Sequence, residues 1–420
     1  MPAAAAEQAN QHLVDRLIAQ GALWSPALIA AFRATPRHGF LDRVFQYLRK
    51  QDRWREVLTR DPGEEELHLL YSDRALITRL SQAGRPASAV PISSSSQPSL
   101  MAQMLEDLQL APSPLPSPPA AGGEGKGEGA SLRTLEVGAG TGYNAALLAH
   151  VVGPGQVTSV DVDREVLAEA WDHLRAFPER QVRFQHADGR HGYAEAAPFD
   201  RIMVTAATPD LEPDWLEQLS PGGLLLAPLV LAPGLAYVVR GSVVGDVFHG
   251  RLTRAAYFMP LRAEDETGAA DLETLPAYDQ LRTWPAPWAG WFDRKRPRIG
   301  WLGFSQSLAF YGLLHGLRVA YQTLADNQPT FGVSDAASSC VCWLGAQTWQ
   351  VSGTTGRELG WDLWRAFLDA GGPWPTEFYL RASPGGGLQP SDRRESYLRQ
   401  GPRCRQVWEL IEPRERPAWI

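Results

Sequence analysis

The feature that most constrains this 420-residue chain is an alternation of short apolar runs with amphipathic runs, from Leu132 to about Val230. LRTLEVGA reads as a strand and TGYNAALLAHVV as a helix. QVTSVDVD and REVLAEAWDHLRAF repeat the pair, and QVRFQHAD, FDRIMVTAA and GGLLLAPLV add three further strands. Strands that alternate with helices are joined by crossovers, and crossovers build a parallel sheet with helices on both faces. The expectation is an α/β, Rossmann-like domain. Residues 236–261 read as strands that close it.

The flanks are less regular. His12 to Leu48 has helical apolar spacing, with turns near Gly21–Ser25 and at Pro36, and 71–92 suggests strands and turns. A helix is expected from Pro98 to Leu108. APSPLPSPPAAGGEGKGEGAS (111–131) is too rich in proline, glycine and charge to form a core, and is expected to be a disordered insertion. Past Ala263 the composition shifts: eleven of the fifteen tryptophans lie between Trp284 and Trp419. Burial in a core is the simpler expectation for them, a peptide- or sugar-binding surface the other. The expected division is therefore one domain over 1–262 and a smaller, mixed α/β domain over 263–420.

Charge and cysteine usage narrow the function. A net charge of −7 disfavours a nucleic-acid partner bound through phosphate neutralisation. Cys340, Cys342 and Cys404 are too few for a disulfide framework and suit a reducing compartment. No histidine follows His315 to complete a metal site with the Cys-x-Cys pair, so no metal is expected. The most apolar stretch, GGLLLAPLVLAPGLAYVV (222–239), carries two prolines and reads as buried strand rather than membrane helix. The first residues lack the basic and apolar regions of a signal peptide. A cytoplasmic protein without a membrane partner is expected.

The chemistry concentrates at three strand ends. LEVGAGTGYN places Gly138, Gly140 and Gly142 between a strand and a helix, where a tight turn lets a ligand approach the backbone. Close packing alone would also select glycine there. The spacing, with Glu136 before it, fits a dinucleotide turn less well, and no Lys or Arg is present to meet a phosphate. Asp161 ends the next strand, where a carboxylate accepts both hydroxyls of a ribose, and Asp163 reads as a helix N-cap. Asp188-Gly189 ends the third strand at the same edge. Upstream, ISSSSQPSLMAQML (92–105) runs four serines into a helix start, which could be no more than a polar loop with a cap.

Together these residues resemble the class I S-adenosylmethionine-dependent methyltransferases. The resemblance implies Asp161 on the ribose, Asp188-Gly189 on the adenine, and the Gly138–Gly142 turn against the amino-acid part of S-adenosyl-L-methionine. A narrower resemblance covers residues 12 to about 262. LIAQGALWSPALIAAFRATPRHGFL, YSDRALI, SSSSQPSLMAQML, FDRIMVTAATP, LSPGGLLLAPL and FMPLR are similar, in that order, to motifs of the protein-L-isoaspartate O-methyltransferases. Ser96 falls on that family's active-site serine and Ser94 on its threonine, while Ser95 replaces its usual isoleucine.

The implied activity is O-methylation of an L-isoaspartyl or aspartyl carboxylate in a protein or peptide, giving an ester that collapses to succinimide. About 155 further residues follow the shared region. That arrangement resembles longer relatives associated with ribosomally made, modified peptides, which implies tailoring of Asp in one cognate peptide as the alternative to repair. An adaptor that only binds the cofactor and a methyltransferase of small carboxylic acids are the readings of other classes.

Overall fold

The computed structural model describes residues 2–81, 89–110, 132–263, 281–289, 291, 300–323, 329–335, 340–392 and 395–411. The expected insertion at 111–131 lies outside the described residues. The chain divides into two compact units. Unit 1 comprises 1–207, 214–227 and 258–267; unit 2 comprises 208–213, 228–257 and 268–420.

In unit 1 the elements run α1 (Pro2–Ala19), α2 (Pro26–Ala34), β1 (Arg43–Leu48), β2 (Arg53–Leu58), α3 (Glu64–Leu70), β3 (Leu76–Leu80), β4 (Pro91–Ser95) and α4 (Pro98–Asp107). Then follow β5 (Thr134–Val137), α5 (Tyr143–Val152), β6 (Val157–Asp161), α6 (Arg164–Leu174), β7 (Val182–His186), β8 (Phe199–Val204), α7 (Pro213–Glu217) and β9 (Leu219–Ala232), whose residues past 227 are grouped with unit 2. The last five strands form a parallel array in the order β9-β8-β5-β6-β7. This is the expected Rossmann-like α/β sheet, and its centre is dry. Leu135, Val137, Val160, Ile202 and Val204 are all buried, and α5 buries Tyr143 to Ala149 without a break. A helix apolar on every side belongs between other elements rather than on a surface.

The N-terminal flank departs from expectation. The helical spacing holds for α1 and α2, but Arg43–Leu48 is a strand, paired antiparallel with Arg53–Leu58 from Arg43↔Leu58 to Leu48↔Arg53. Val44, Phe45 and Tyr47 favour a pleated surface, and the hairpin gives them cross-strand partners that an isolated helical turn would lack. Asp52, at φ 47, closes that hairpin in the left-handed region. With β3 and β4 it makes a four-stranded antiparallel sheet in the order β2-β1-β3-β4.

Unit 2 contains β10 (Leu235–Val244), β11 (Val247–Ala255), β12 (Arg282–Pro285), α8 (Gly300–Leu314), β13 (Arg318–Thr323), β14 (Pro329–Ser334), β15 (Val341–Leu344) and β16 (Thr348–Val351). It ends with α9 (Gly353–Asp369), β17 (Phe378–Ser383), β18 (Ser396–Gln400) and β19 (Arg405–Leu410). β10, β11, β17, β19 and β18 are neighbours in that order, and β12-β16-β15-β14-β13 form a separate antiparallel sheet. The division thus differs from a cut at 262/263, because β11 pairs with β17 through Phe248↔Ala382 to Arg251↔Tyr379. That ladder ties 228–257 to the C-terminal residues.

Tryptophan fills the interior of unit 2. Trp288 packs edge-on against Trp349 at 5.4 Å between ring centroids, and Trp291 against Trp364 at 5.3 Å, with Phe304 and Phe367 beside them. Trp288, Trp349, Trp364 and Trp408 are all buried. The stretch 222–239 is accounted for by β9 and β10. Among the described residues no helix is long and apolar enough to cross a membrane, and no cluster of His, Cys, Asp or Glu is suited to a metal ion.

Candidate active site

β5, β6 and β7 run in the same direction, so the glycine turn, Asp161 and Asp188 share one carboxyl edge of the sheet. The chain leaves β5 toward β6 and β7, then returns to β8 on the other side of β5. Such a reversal opens a crevice at the strand ends, the usual ligand position in open α/β sheets.

The turn after β5 requires glycine. Gly138, Gly140 and Gly142 have φ of 97, 51 and 81. A Cβ on Gly138 would stand 2.5 Å from Thr205 Oγ1, and one on Gly142 would stand 3.1 Å from Ala170. The Thr205 hydroxyl lies 2.9 and 2.7 Å from the carbonyls of Val137 and Gly138, and His173 Nδ1 lies 2.9 Å from the Thr141 carbonyl. β8 and α6 therefore hold the turn from two sides. Beneath it Glu136 is wholly buried and accepts hydrogen bonds from Asn144 Nδ2 and Ser159 Oγ. Burial pushes its carboxyl up to about 7 despite those two donors.

Asp161 meets the same turn. Its carboxylate accepts from the Gly140 N–H at 3.3 Å and the Asp163 N–H at 3.1 Å. Burial moves its carboxyl above the usual range, against those bonds. Asp163 caps α6 as expected, accepting from the N–H groups of Glu165 and Val166.

Asp188 is engaged differently from its expected role. Its carboxylate accepts from the Arg190 backbone N–H at 3.0 Å and is gripped by the Arg190 guanidinium at 2.6–3.1 Å. Burial works to raise its carboxyl, but the bonds and charge of Arg190 outweigh that and hold it below the ordinary range. An adenine amino group would share this carboxylate with Arg190. Gly189 is shaped by packing: a Cβ there would fall 2.5 Å from Val137 Cγ1, and its carbonyl accepts from Trp215 Nε1 at 2.8 Å.

The four serines separate into two pairs. Side chains of a strand alternate between faces. Ser93 Oγ accepts from Thr78 Oγ1 at 3.2 Å, and the buried Ser95 Oγ accepts from Arg37 at 3.3 Å. Among the described residues the hydroxyls of Ser94 and Ser96 have no hydrogen-bond partner. The Ser94 carbonyl lies 3.8 Å from the point a Cβ on Gly140 would occupy. The serine loop thus faces the glycine turn, and two of its four hydroxyls remain available to a ligand.

Several residues around the site had no assigned role. Arg37, in the quoted PRHGF, is fully buried and binds the carbonyls of Ser95 and Ser96. Asp73 accepts from the Ser99 N–H at 2.9 Å and so caps α4, the plain role the sequence left open for the serines. Arg262 Nη2 donates to the Ile92 carbonyl at 3.3 Å, and its segment is fixed by the Leu261 N–H to Ala207 carbonyl bond of 2.7 Å. Arg37 and Thr205 both lie in stretches that carry the family resemblance, PRHGF and FDRIMVTAATP, and that resemblance was the signal for them.

Residues 128–261 match the sequence model described as Protein-L-isoaspartate(D-aspartate) O-methyltransferase (PCMT). A protein-L-isoaspartate O-methyltransferase of Aromatoleum aromaticum is 32% identical over 261 residues, 62% of this chain and 94% of that protein. One from Serratia proteamaculans is 35% identical over 255 residues, 60% of this chain and 94% of its own length. A solved structure named protein-L-isoaspartate O-methyltransferase aligns with a TM-score of 0.48 and 21% identity, over 89% of this chain and 96% of that one. With relatives of this identity matched over nearly their whole length, the chain belongs to the protein-L-isoaspartate O-methyltransferase family.

Proposed function

We propose that the protein transfers the methyl group of S-adenosyl-L-methionine to the carboxylate of L-isoaspartyl or aspartyl residues in proteins or peptides. The ester so formed can close to a succinimide. One observation carries the assignment of roles: Ser94 and Ser96 keep their hydroxyls unbonded on a loop that faces Gly140, whose N–H is itself bonded to Asp161.

The residues suit the cofactor. Gly138 to Gly142 offer bare backbone with no cation, which fits a ligand without phosphate, and Asp161 can accept from the ribose hydroxyls. Gly189 brings backbone close to the end of β5 for the adenine, with Asp188 beside it. Bound there, the sulfonium supplies an electrophilic methyl group. The acceptor carboxylate is already ionised near neutral pH, so the chain has no proton to remove and needs no general base. Ser96 and Ser94 donate hydrogen bonds that aim a carboxylate oxygen along the transfer line. Alignment of this kind is worth about 7–11 kcal/mol in favourable cases.

The test is methyl transfer to a short isoaspartyl peptide beside its normal-Asp twin, read by mass. Ser96→Ala should lower kcat while leaving binding of S-adenosylhomocysteine intact. Loss of both together would remove Ser96 from the acceptor site.

A second reading is favoured by one observation. The relatives are matched over 94% of their own length by only about three-fifths of this chain, and the family's sequence model stops at residue 261, ahead of the Trp-rich residues. Tailoring of an aspartyl residue in one dedicated peptide would use those residues to hold the substrate. Methylation of neither test peptide, with cofactor binding intact, would favour that reading. We assign the reaction to the cytoplasm, in keeping with three cysteines that form no disulfide among the described residues.

A further inference from the structure

Arg37 is the most heavily used side chain around the serine loop. It is fully buried, and all three guanidinium nitrogens donate. Nη1 reaches the carbonyls of Leu70 at 2.9 Å and Ser72 at 3.1 Å. Nη2 reaches those of Arg74 at 3.1 Å, Ser95 at 3.3 Å and Ser96 at 2.9 Å, and Nε reaches Ser95 Oγ at 3.3 Å. Among the described residues no carboxylate is bonded to it. Asp73 contributes only through space, because its oxygens serve Ser99 N–H and Gln97 Nε2.

A buried cation held by carbonyl and hydroxyl dipoles, without a carboxylate, is an expensive way to fill a core, since an apolar side chain of similar volume often packs as well or better. What the guanidinium provides and an apolar group cannot is a planar fork that fixes several oxygens at set angles. Here those oxygens belong to two segments, the Leu70–Arg74 turn and the Ser95–Ser96 exit of β4, which the β3–β4 ladder brings near each other at Leu76↔Ser95 and the guanidinium then fixes in orientation. Asp73 extends the same turn to the first residues of α4 through Ser99. The Ser96 backbone is therefore held from its carbonyl side by Arg37, and the helix after it is held by Asp73. Both restraints leave the Ser96 hydroxyl unbonded.

We propose that Arg37 is a positioning residue for methyl transfer: by clamping the carbonyls of Ser95 and Ser96 to the Leu70–Arg74 turn, it fixes the direction of the Ser94 and Ser96 hydroxyls over the glycine turn. This rests on the reading that those hydroxyls orient the acceptor. Burial pushes the Arg37 guanidinium down to about 10, so it stays cationic at neutral pH and the clamp stays intact.

The experiment compares Arg37→Lys, Arg37→Ala and Ser96→Ala in the full chain. The probes are S-adenosylhomocysteine binding by calorimetry, thermal unfolding, and kcat and KM on an isoaspartyl peptide. Lysine keeps the charge but cannot span both segments. The expected result for Arg37→Lys is a roughly hundredfold fall in kcat, the loss that a displacement of about 1 Å can cause, with cofactor affinity unchanged. Added guanidinium ion should restore part of the kcat of Arg37→Ala. A purely structural role would lower the unfolding midpoint yet leave kcat of the folded enzyme unchanged, and that result overturns the proposal. So does failure of both Arg37 variants to bind S-adenosylhomocysteine, which would make Arg37 part of the general core. Full activity in Ser96→Ala would instead refute the serine reading on which the clamp depends.

Discussion

Glu136→Gln should make the protein more stable at pH 8 and change little at pH 5. The Glu136 carboxyl is wholly buried and pushed up to about 7 from 4.5. A raised carboxyl binds its proton more tightly in the folded chain than in the unfolded one. Stability from this group is therefore fully present below about pH 4.5 and is lost as pH rises through 7. Over the whole interval the loss is about 3 kcal/mol, most of it between pH 5 and pH 8. Glutamine removes the titration without emptying the site. Ser159 Oγ can donate to its Oε1, and its Nε2 can donate to Asn144 Oδ1 after that amide turns over. Asn144 Oδ1 is a buried oxygen that otherwise lacks a partner. The assay is urea unfolding of both proteins at pH 5 and pH 8. The other titrating groups are common to both proteins and cancel in the double difference. A stability gain for glutamine that does not increase from pH 5 to pH 8 would refute the reasoning.

Three further outcomes follow from the same geometry. Gly138→Ala, strained at φ 97 and pressed against Thr205, should weaken S-adenosylhomocysteine binding by at least tenfold in calorimetry, a loss of about 1.4 kcal/mol. Asp163→Ala removes the cap from α6 and should reduce stability by about 1 kcal/mol in a denaturant titration. Asp210→Ala should be more severe, about 3 kcal/mol or more. Its buried carboxylate accepts from the N–H groups of Arg403 and Cys404 and from Gln406 Nε2, all of which would lose their partner.

The parallel sheet was legible because its pattern is local. β5, α5, β6, α6, β7 and β8 each carry their own period, and glycine or aspartate punctuates the ends. The roles of Glu136, Arg37 and Thr205 were not legible, because each depends on a partner distant in sequence. Arg37 stands in the quoted PRHGF without a role until Ser95 and Ser96 arrive beside it, some sixty residues later in the chain. Arg43–Leu48 was misread for the same reason, since its strand exists through its pairing with Arg53–Leu58. The serine run could be placed by resemblance, but only the strand's two-residue alternation separates Ser93 and Ser95, which are bonded, from Ser94 and Ser96, which are open.

The two units alternate along the chain: 208–213 and 228–257 group with 268–420, while 214–227 and 258–267 group with the N-terminal residues. A single junction near residue 262 therefore parts 228–257 from the residues with which they group. A recombinant joined after Arg262 would keep β11 but lose the β17 ladder at Phe248–Arg251, leaving an unpaired edge of the kind that invites aggregation. It would also strand Asp210 without the loop that satisfies it. Residues 208–213 and 228–257 lie within the stretch that matches the family model, so a working chimera has to fit its C-terminal residues to strands that come from the shared part of the chain.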